Sequence, residues 1–390
     1  SVCWGKTMDT RHKCILIFLL LFILVLAFSL GQQKVAWKGK IEEVDGVTVV
    51  KNPKEPMYQE DAFILEEELI IEAKETNQEE EIFQAIVSLA IDNQGNIYVL
   101  DKKAGNVKVF DVNGKFLKTI GRKGGGPGEF GTPESCVLTP NNELCVYDSG
   151  RRIIHIFDID GEFKREFPAS LPFFEGPKFT SEGEIIASYG VLGEKSFFVL
   201  KKFDSEMNPL LSFASIPILK LPKVHVFIYY AASDLKWDVN YRDETIWGIM
   251  TSPEYELFIH DKDGKYIKKI TKEYNPVKLS SKEYVRLMKR WFGKVPTAKQ
   301  WDLVIPEYYP PFHGFYVDDE GRIFVKRFVE VEKSNKHYFD VFDEEGKFIT
   351  EIVLNINIQF GIFKNKKFFS IEEDEEGYQY VKRCKVTWKF

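Results

Sequence analysis

Two carboxylates, an imidazole and an indole stand at comparable places in this chain of 390 residues: Glu134, Glu175, His313 and Trp237. Each falls near the start of a short run of strand-forming residues, and Tyr309 lies just ahead of His313. Gathered round one opening, they would make a polar pocket able to hold a sugar or another small ligand, with aromatic rings as stacking faces. Glu134 and Glu175, with Asp238 or Asn240 nearby, would also make a weak Ca²⁺ site, because hard cations take oxygen ligands. The competing reading is a solvated channel edged by ordinary polar side chains.

Other signals for chemistry fail on their spacing. His155, His225, His313 and His337 have no zinc-ligand spacing, so no metal centre is expected beyond that weak cation site. The run Gly124-Gly125-Gly126-Pro127-Gly128 lacks the Gly-Lys-Ser/Thr ending of a phosphate loop and opens no helix, so it reads as a tight turn. No Ser or Cys nucleophile has a recognisable partner arrangement.

The elements that must position these residues are strands. Residues 83–121 hold four runs rich in β-branched and aromatic residues, Val87 to Ile91, Asn96 to Leu100, Val107 to Asp111 and Phe116 to Ile120, separated by turn clusters. Residues 130–167 repeat residues 83–120 at an offset of 47 without a gap, pairing Asp101 with Asp148, Phe110 with Phe157 and Gly114 with Gly161. An aromatic-Asp-x-x-Gly corner recurs at Phe203-Asp204, where the glycine is read as lost at Asn208, at His260-Asp261 with Gly264, and at Phe342-Asp343 with Gly346. Asp101 and Asp148 then read as turn-closing residues, and His260 as a structural stand-in for Phe.

A period in the forties that spells four strands means sheets that bury their faces only against one another, which is a propeller. Five copies and a less regular sixth at 354–390 predict an all-β, six-bladed β-propeller of four-stranded blades over residues 76–390. The inner strands would start near Val87, Glu134, Glu175, Trp237, His313 and Gln359. Those starts share one end of the ring with the Gly-rich linker 121–134 and with an insertion at 272–304, and ligands of closed repeat folds sit where long connections converge. In the insertion, which separates blades 4 and 5, Ser280 and Glu283 form a capping box. Tyr284, Val285, Met288, Trp291 and Phe292 follow at helical spacing. That helix would pack on the side of a blade or lie as a lid over the channel mouth.

Residues 32–75 precede the first blade, with a short strand around Val47 to Val50 and a second segment, 63–72, expected to supply the outer strand of the last blade, since an unclosed ring leaves an exposed edge. Cys136 and Cys145 flank one hairpin, but the register places Cys136 opposite Val146 and Cys145 opposite Val137. Their side chains then lie on opposite faces, so they read as small buried hydrophobes and not as a disulfide.

Arg11, His12 and Lys13 precede the uncharged run Cys14 to Leu30, the order of a secretory signal cleaved after Gly31, with an uncleaved single span as the alternative. Residues 1–7 read as sequence upstream of a start at Met8. Without residues 1–31 the chain has 50 basic and 58 acidic residues, net −8, which argues against a nucleic-acid partner. The 33 Phe of the full chain fit sheets stacked face to face.

The stretch GNIYVLDKKAGNVKVFDVNGKFLKTIGRKGGGPGEF resembles NHL repeats. With DGVTVVKNPKEP near the start and IEEDEEGYQYVKR near the end, the chain is similar to the bacterial exported six-bladed β-propeller family. The resemblance implies the fold and export to the periplasm or beyond; it supplies no catalytic residues. The wider NHL-like group includes lyases and lactonases with a channel metal, and this sequence lacks the convergent His set of such a lyase. The expected function is a monomeric, non-catalytic binding or scaffold module engaging a protein, peptide or glycan through its top face, with membrane contact only through an uncleaved N-terminal segment. The alternative is a metal-assisted hydrolase or lyase of lactonase type using Glu134, Glu175 and His313.

Overall fold

The computed structural model describes residues 36–58, 62–72, 83–169, 177–191, 196–218, 236–240, 245–249, 254–282, 285, 286, 289, 307–328, 336–354 and 360–390. The segment 1–31 and Glu175 lie outside these residues. Six antiparallel sheets follow one another along the chain. Blade 1 runs Ile86–Ile91, Ile97–Asp101, Asn106–Phe110 and Phe116–Ile120, and blade 2 runs Pro133–Leu138, Leu144–Asp148, Ile153–Phe157 and Phe163–Pro168. Blade 3 spans Lys178–Phe179 to Pro209–Ile218, blade 4 Lys236–Asn240 to Tyr266–Lys272, and blade 5 Phe312–Val317 to Phe348–Leu354. Blade 6 takes Phe360–Lys364, Lys367–Glu373 and Gln379–Trp388, and its fourth, outer strand is Phe63–Ile71, from much earlier in the sequence. The fold is an all-β, six-bladed β-propeller.

A thin sheet with two apolar faces is stable only between neighbours, and the core is accordingly split among the seams. Leu100, Val107 and Ile120 of blade 1 pack on Phe130, Cys136 and Val146 at blade 2. Leu89 and Val99 of blade 1 pack on Phe369, Ile371 and Val381 of blade 6, which shuts the ring. Val50, Leu257 and Ile270 fill the seam between blade 4 and Phe342 and Phe348 of blade 5.

The repeated corner explains its own glycine. Gly114, Gly161, Gly264 and Gly346 all have φ between 80° and 94°, and a Cβ at each would come within 3.0 Å of the preceding blade's outer strand, at Leu69, Ile120, Leu211 and Ile270 respectively. In blade 3 the residue at this position is Met207 (φ 67°), not Asn208: the Met207 amide donates to Asp204 O as Gly114 does to Asp111 O. Counting from the turn's hydrogen bond, and not from the polar side chain, corrects the reading by one residue.

The sheet of blade 4 is wider than four strands. Val47–Asn52 lies parallel to the outer strand Tyr266–Lys272, and Lys40–Val44 pairs antiparallel on its far side, giving six. The chain then crosses blade 5, where the Met57 and Tyr58 amides donate to Phe348 O and Ile349 O, before reaching blade 6. Asn52 anchors this crossing. Buried, it donates to Thr271 O and Gly346 O and accepts from the Phe348 amide and the Trp37 indole, so all of its amide's hydrogen-bonding capacity is used.

Cys136 pairs with Val146 and Cys145 with Val137. The two thiols lie in different seams, Cys136 toward blade 1 and Cys145 toward blade 3, and both are free. In the insertion, residues 281, 282, 285, 286 and 289 have helical backbone and are exposed, Val285 among them; Tyr284, Met288, Trp291 and Phe292 lie outside the described residues. The insertion's two ends are pinned together, since the Leu279 amide donates to Glu307 O and the Tyr309 amide to Val277 O. Among the described residues no helix is long and apolar enough to cross a membrane.

Candidate functional site

In blades 1, 2 and 6 a buried acid toward the end of the second strand meets a base on the third. Asp101, fully buried, accepts from the Gln84, Ala85 and Ala104 amides at 2.7, 3.1 and 3.0 Å, with Lys108 Nζ 3.3 Å away. Asp148 likewise accepts from the Gly131, Thr132 and Arg151 amides, with His155 on the neighbouring strand. In blade 6 Glu372 accepts from Tyr380 Oη at 3.0 Å and Lys382 Nζ at 3.3 Å. In blades 1 and 2 the carboxylate is a latch: it collects the last two amides of the segment arriving from the previous blade and draws that segment over the blade's end.

Blade 5 inverts the arrangement. Arg327 pairs with Phe312 as Asp101 pairs with Ile86, and Asp340 faces Val325 as Lys108 faces Val99, so a cation holds the acid's place and an acid the cation's. The two residues before Phe312, which would donate the latch amides, are Pro310 and Pro311, and proline has no N–H to give. With acceptor and donors both gone, no such latch holds the arriving segment. A pocket of about 920 Å³ lies between blades 4 and 5, lined by Pro310 and Pro311 and by Pro56 and Tyr58 of the crossing segment.

Its floor is charged. Asp340 Oδ2 accepts from Tyr255 Oη at 2.8 Å and from Lys272 Nζ, of blade 4, at 3.1 Å. Arg327 Nε lies 3.2 Å from Asp340 Oδ1, and its two Nη atoms donate to Glu351 at 2.9 and 3.1 Å in a bidentate fork. Lys272 also sits 4.2 Å over the Phe348 ring. Burial pulls the Lys272 ammonium below its usual range against the attraction of Asp340, pushes the Asp340 carboxyl up against Lys272 and Arg327, and pushes the Tyr255 phenol well up. A concentration of shifted groups beside a cavity marks it as the candidate site.

Of the residues singled out in the sequence, Tyr309 and His313 come together. Both stack on Phe328, at centroid distances of 4.9 and 3.4 Å, and Phe328 lines the pocket. Glu134 is elsewhere, in blade 2 across the ring, bound to Lys102 Nζ at 2.7 Å and accepting from Ser149 Oγ at 3.1 Å. Trp237 lies on the inner strand of blade 4, its backbone paired with Gly248. Among the described residues no three His, Cys, Asp or Glu gather as metal ligands. The Gly-rich turn is filled from within: Glu129 accepts from the Gly125 and Gly126 amides and pairs with Arg122, and the Gly126 amide, then Arg122, hold its carboxyl below the usual range.

A family model described as "6-bladed beta-propeller" matches residues 73–192, covering blade 1, blade 2 and the start of blade 3. Among solved structures, a candidate exported protein from Bacteroides fragilis NCTC 9343 aligns with a TM-score of 0.56 at 12% identity, over 88% of this chain and all of that one. A member of the DUF4221 family from Bacteroides vulgatus aligns at 0.51 and 11% identity, over 84% and 99%. A gluconolactonase from Xanthomonas campestris aligns at 0.45 and 12% identity, over 78% and 87%, too loosely to carry an argument. At these identities the likeness is one of fold. No curated protein matches the chain.

Proposed function

We propose that this protein is an exported, non-catalytic binding propeller, with NHL-like repeats, that takes its ligand in the pocket between blades 4 and 5. The reading rests on one observation: the latch that seals blades 1 and 2 is absent from blade 5 in all its parts, acceptor and both donors, and a cavity stands in its place. A closed seam buries more apolar surface than an open one, so an opening lined by buried charge costs stability and is kept for another reason. The pocket's size falls in the range of small-ligand sites, about 300–1,000 Å³.

The test is a thermal-shift and titration screen of the chain lacking residues 1–31 against peptides and oligosaccharides, repeated on Tyr338→Ala, which removes a half-buried ring from the pocket wall. Saturable binding lost in Tyr338→Ala supports the reading; binding that ignores the substitution, or none, overturns it.

A further inference from the structure

We infer that the ligand of this pocket is a neutral carbohydrate, an inference that rests on the pocket being a binding site at all. Two cations and two anions meet at its floor, Lys272 with Asp340, which lies beneath the lining, and Arg327 with Glu351, while Lys54 and Glu55 add one charge of each sign to the lining. The charges cancel in number, so the lining offers no net charge to favour an ionic ligand of either sign. An incoming carboxylate would compete with Glu351 for the same fork and be repelled by it; an incoming ammonium would meet Arg327.

What the fork does offer is donors and acceptors side by side. The guanidinium has five N–H groups. One points toward Asp340 and two are spent on Glu351, which leaves two, while each Glu351 oxygen keeps a lone pair. Glu351 and Arg327 are also the charged residues of the floor that reach solvent, at 39% and 23% side-chain exposure, against 0% for Asp340 and 2% for Lys272. A hydroxyl both donates and accepts, and two neighbouring hydroxyls on a sugar ring span such an edge. Tyr338 and Pro311, which also line the pocket, offer apolar surfaces suited to the C–H faces of the same ring.

The experiment is isothermal titration of the chain lacking residues 1–31 with neutral tetrasaccharides of glucose, mannose and xylose. It is run beside uronic-acid oligosaccharides of equal length and uncharged tetrapeptides, on the wild type, Glu351→Gln and Tyr338→Ala. At least one neutral saccharide should bind saturably, and each substitution should weaken it by roughly tenfold or more, the equivalent of one lost stacking or hydrogen-bonding contact. Tyr338→Ala keeps the test standing should Glu351→Gln fail to fold for want of a partner to Arg327. Tighter binding of the uronates, or Tyr338-dependent binding of peptides alone, would overturn the carbohydrate inference and leave the pocket as a binding site. No binding, or binding indifferent to both substitutions, would overturn both.

Discussion

Asp340, on the third strand of blade 5, accepts a hydrogen bond from Lys272, on the outer strand of blade 4, across 3.1 Å of a seam from which both side chains are almost wholly hidden from water. Each partner makes the other tolerable. Lys272→Met should cost roughly 3–5 kcal/mol because it takes one of two cations from a buried carboxylate and leaves it to Arg327 and Tyr255, and Lys272→Met combined with Asp340→Asn should cost less than the single change. Urea unfolding of the two single variants and the double closes the cycle; a double variant as unstable as the sum of the singles would show that the pair is not coupled.

The latch predicts an asymmetry between blades. Asp101→Ala leaves three backbone amides without their acceptor and Lys108 with Asn106 Oδ1 but no carboxylate, and should destabilise by about 2–4 kcal/mol. Pro311→Ala, at the unlatched counterpart, restores an N–H that has no carboxylate to meet and should shift stability by less than about 1 kcal/mol. Equal losses would mean that the blade 5 seam is held by a contact equivalent to the latch.

Asn52 ties the Thr271 carbonyl of blade 4 to Gly346 and Phe348 of blade 5 and to Trp37 through a single side chain. Asn52→Ala should cost about 2–3 kcal/mol. Asn52→Asp, nearly identical in shape, should cost at least as much, because its second oxygen would face the two carbonyls that Asn52 now serves as donor. Hydrogen exchange should speed up first at Phe348 and Met57, ahead of the blade 1 strands.

His155 gives the fold a dependence on acid. It is fully buried against Phe130, Phe157 and Phe163, and burial holds its imidazole below the ordinary value of about 6.5, although Glu166 and Asp148 pull the other way; Arg151 adds to the depression. Below that value the unfolded chain binds a proton that the folded one resists. The group's contribution is therefore present above about pH 6.5 and lost as pH falls through the folded-state value. His155→Gln should flatten the stability profile on the acid side of pH 6.5 relative to wild type, read from melting temperatures across pH; parallel profiles would refute it.

Cys136, Cys145 and Cys384 should resist both bridging and alkylation in the native protein. They are buried, and burial pushes the Cys136 thiol up to about 12 and Cys384 to about 11, leaving little reactive thiolate. Iodoacetamide should label all three only in denaturant, with no disulfide found by mass spectrometry after refolding under oxidising conditions.

The ring was legible in the sequence because each blade rewrites the same polar corner. The offset of 47 between Asp101 and Asp148 is kept in space, and so is the register that opposes Cys136 to Val146. The pocket was not legible, because its walls come from 54–58, 255–277 and 310–351, segments brought together only by ring closure. Its signal was present as a break in the pattern: Arg327 and Asp340 where blades 1 and 2 hold Asp and Lys or His, and two prolines where they donate amides. Searching for side chains that could share an opening favoured strand starts such as Glu134, whereas the informative residues were those that failed to repeat. The strand expected around Val47 to Val50 is there, as Val47–Asn52, but its place on blade 4 was not legible, since its partner lies more than two hundred residues away.

The way residues 36–71 wrap blades 4, 5 and 6 sets an order on the life of the molecule. During synthesis this stretch leaves the ribosome well ahead of its docking partners, Tyr266–Lys272, Phe348 and Gln379–Trp388. Val47–Asn52 can pair with Lys40–Val44 at once and then needs only Tyr266–Lys272, whereas Phe63–Ile71 has no strand partner until Gln379–Trp388 has been made. The strand that closes the ring is thus made long before the one it closes on, and a chain clipped before Gln379 would leave Phe63–Ile71 as an open edge.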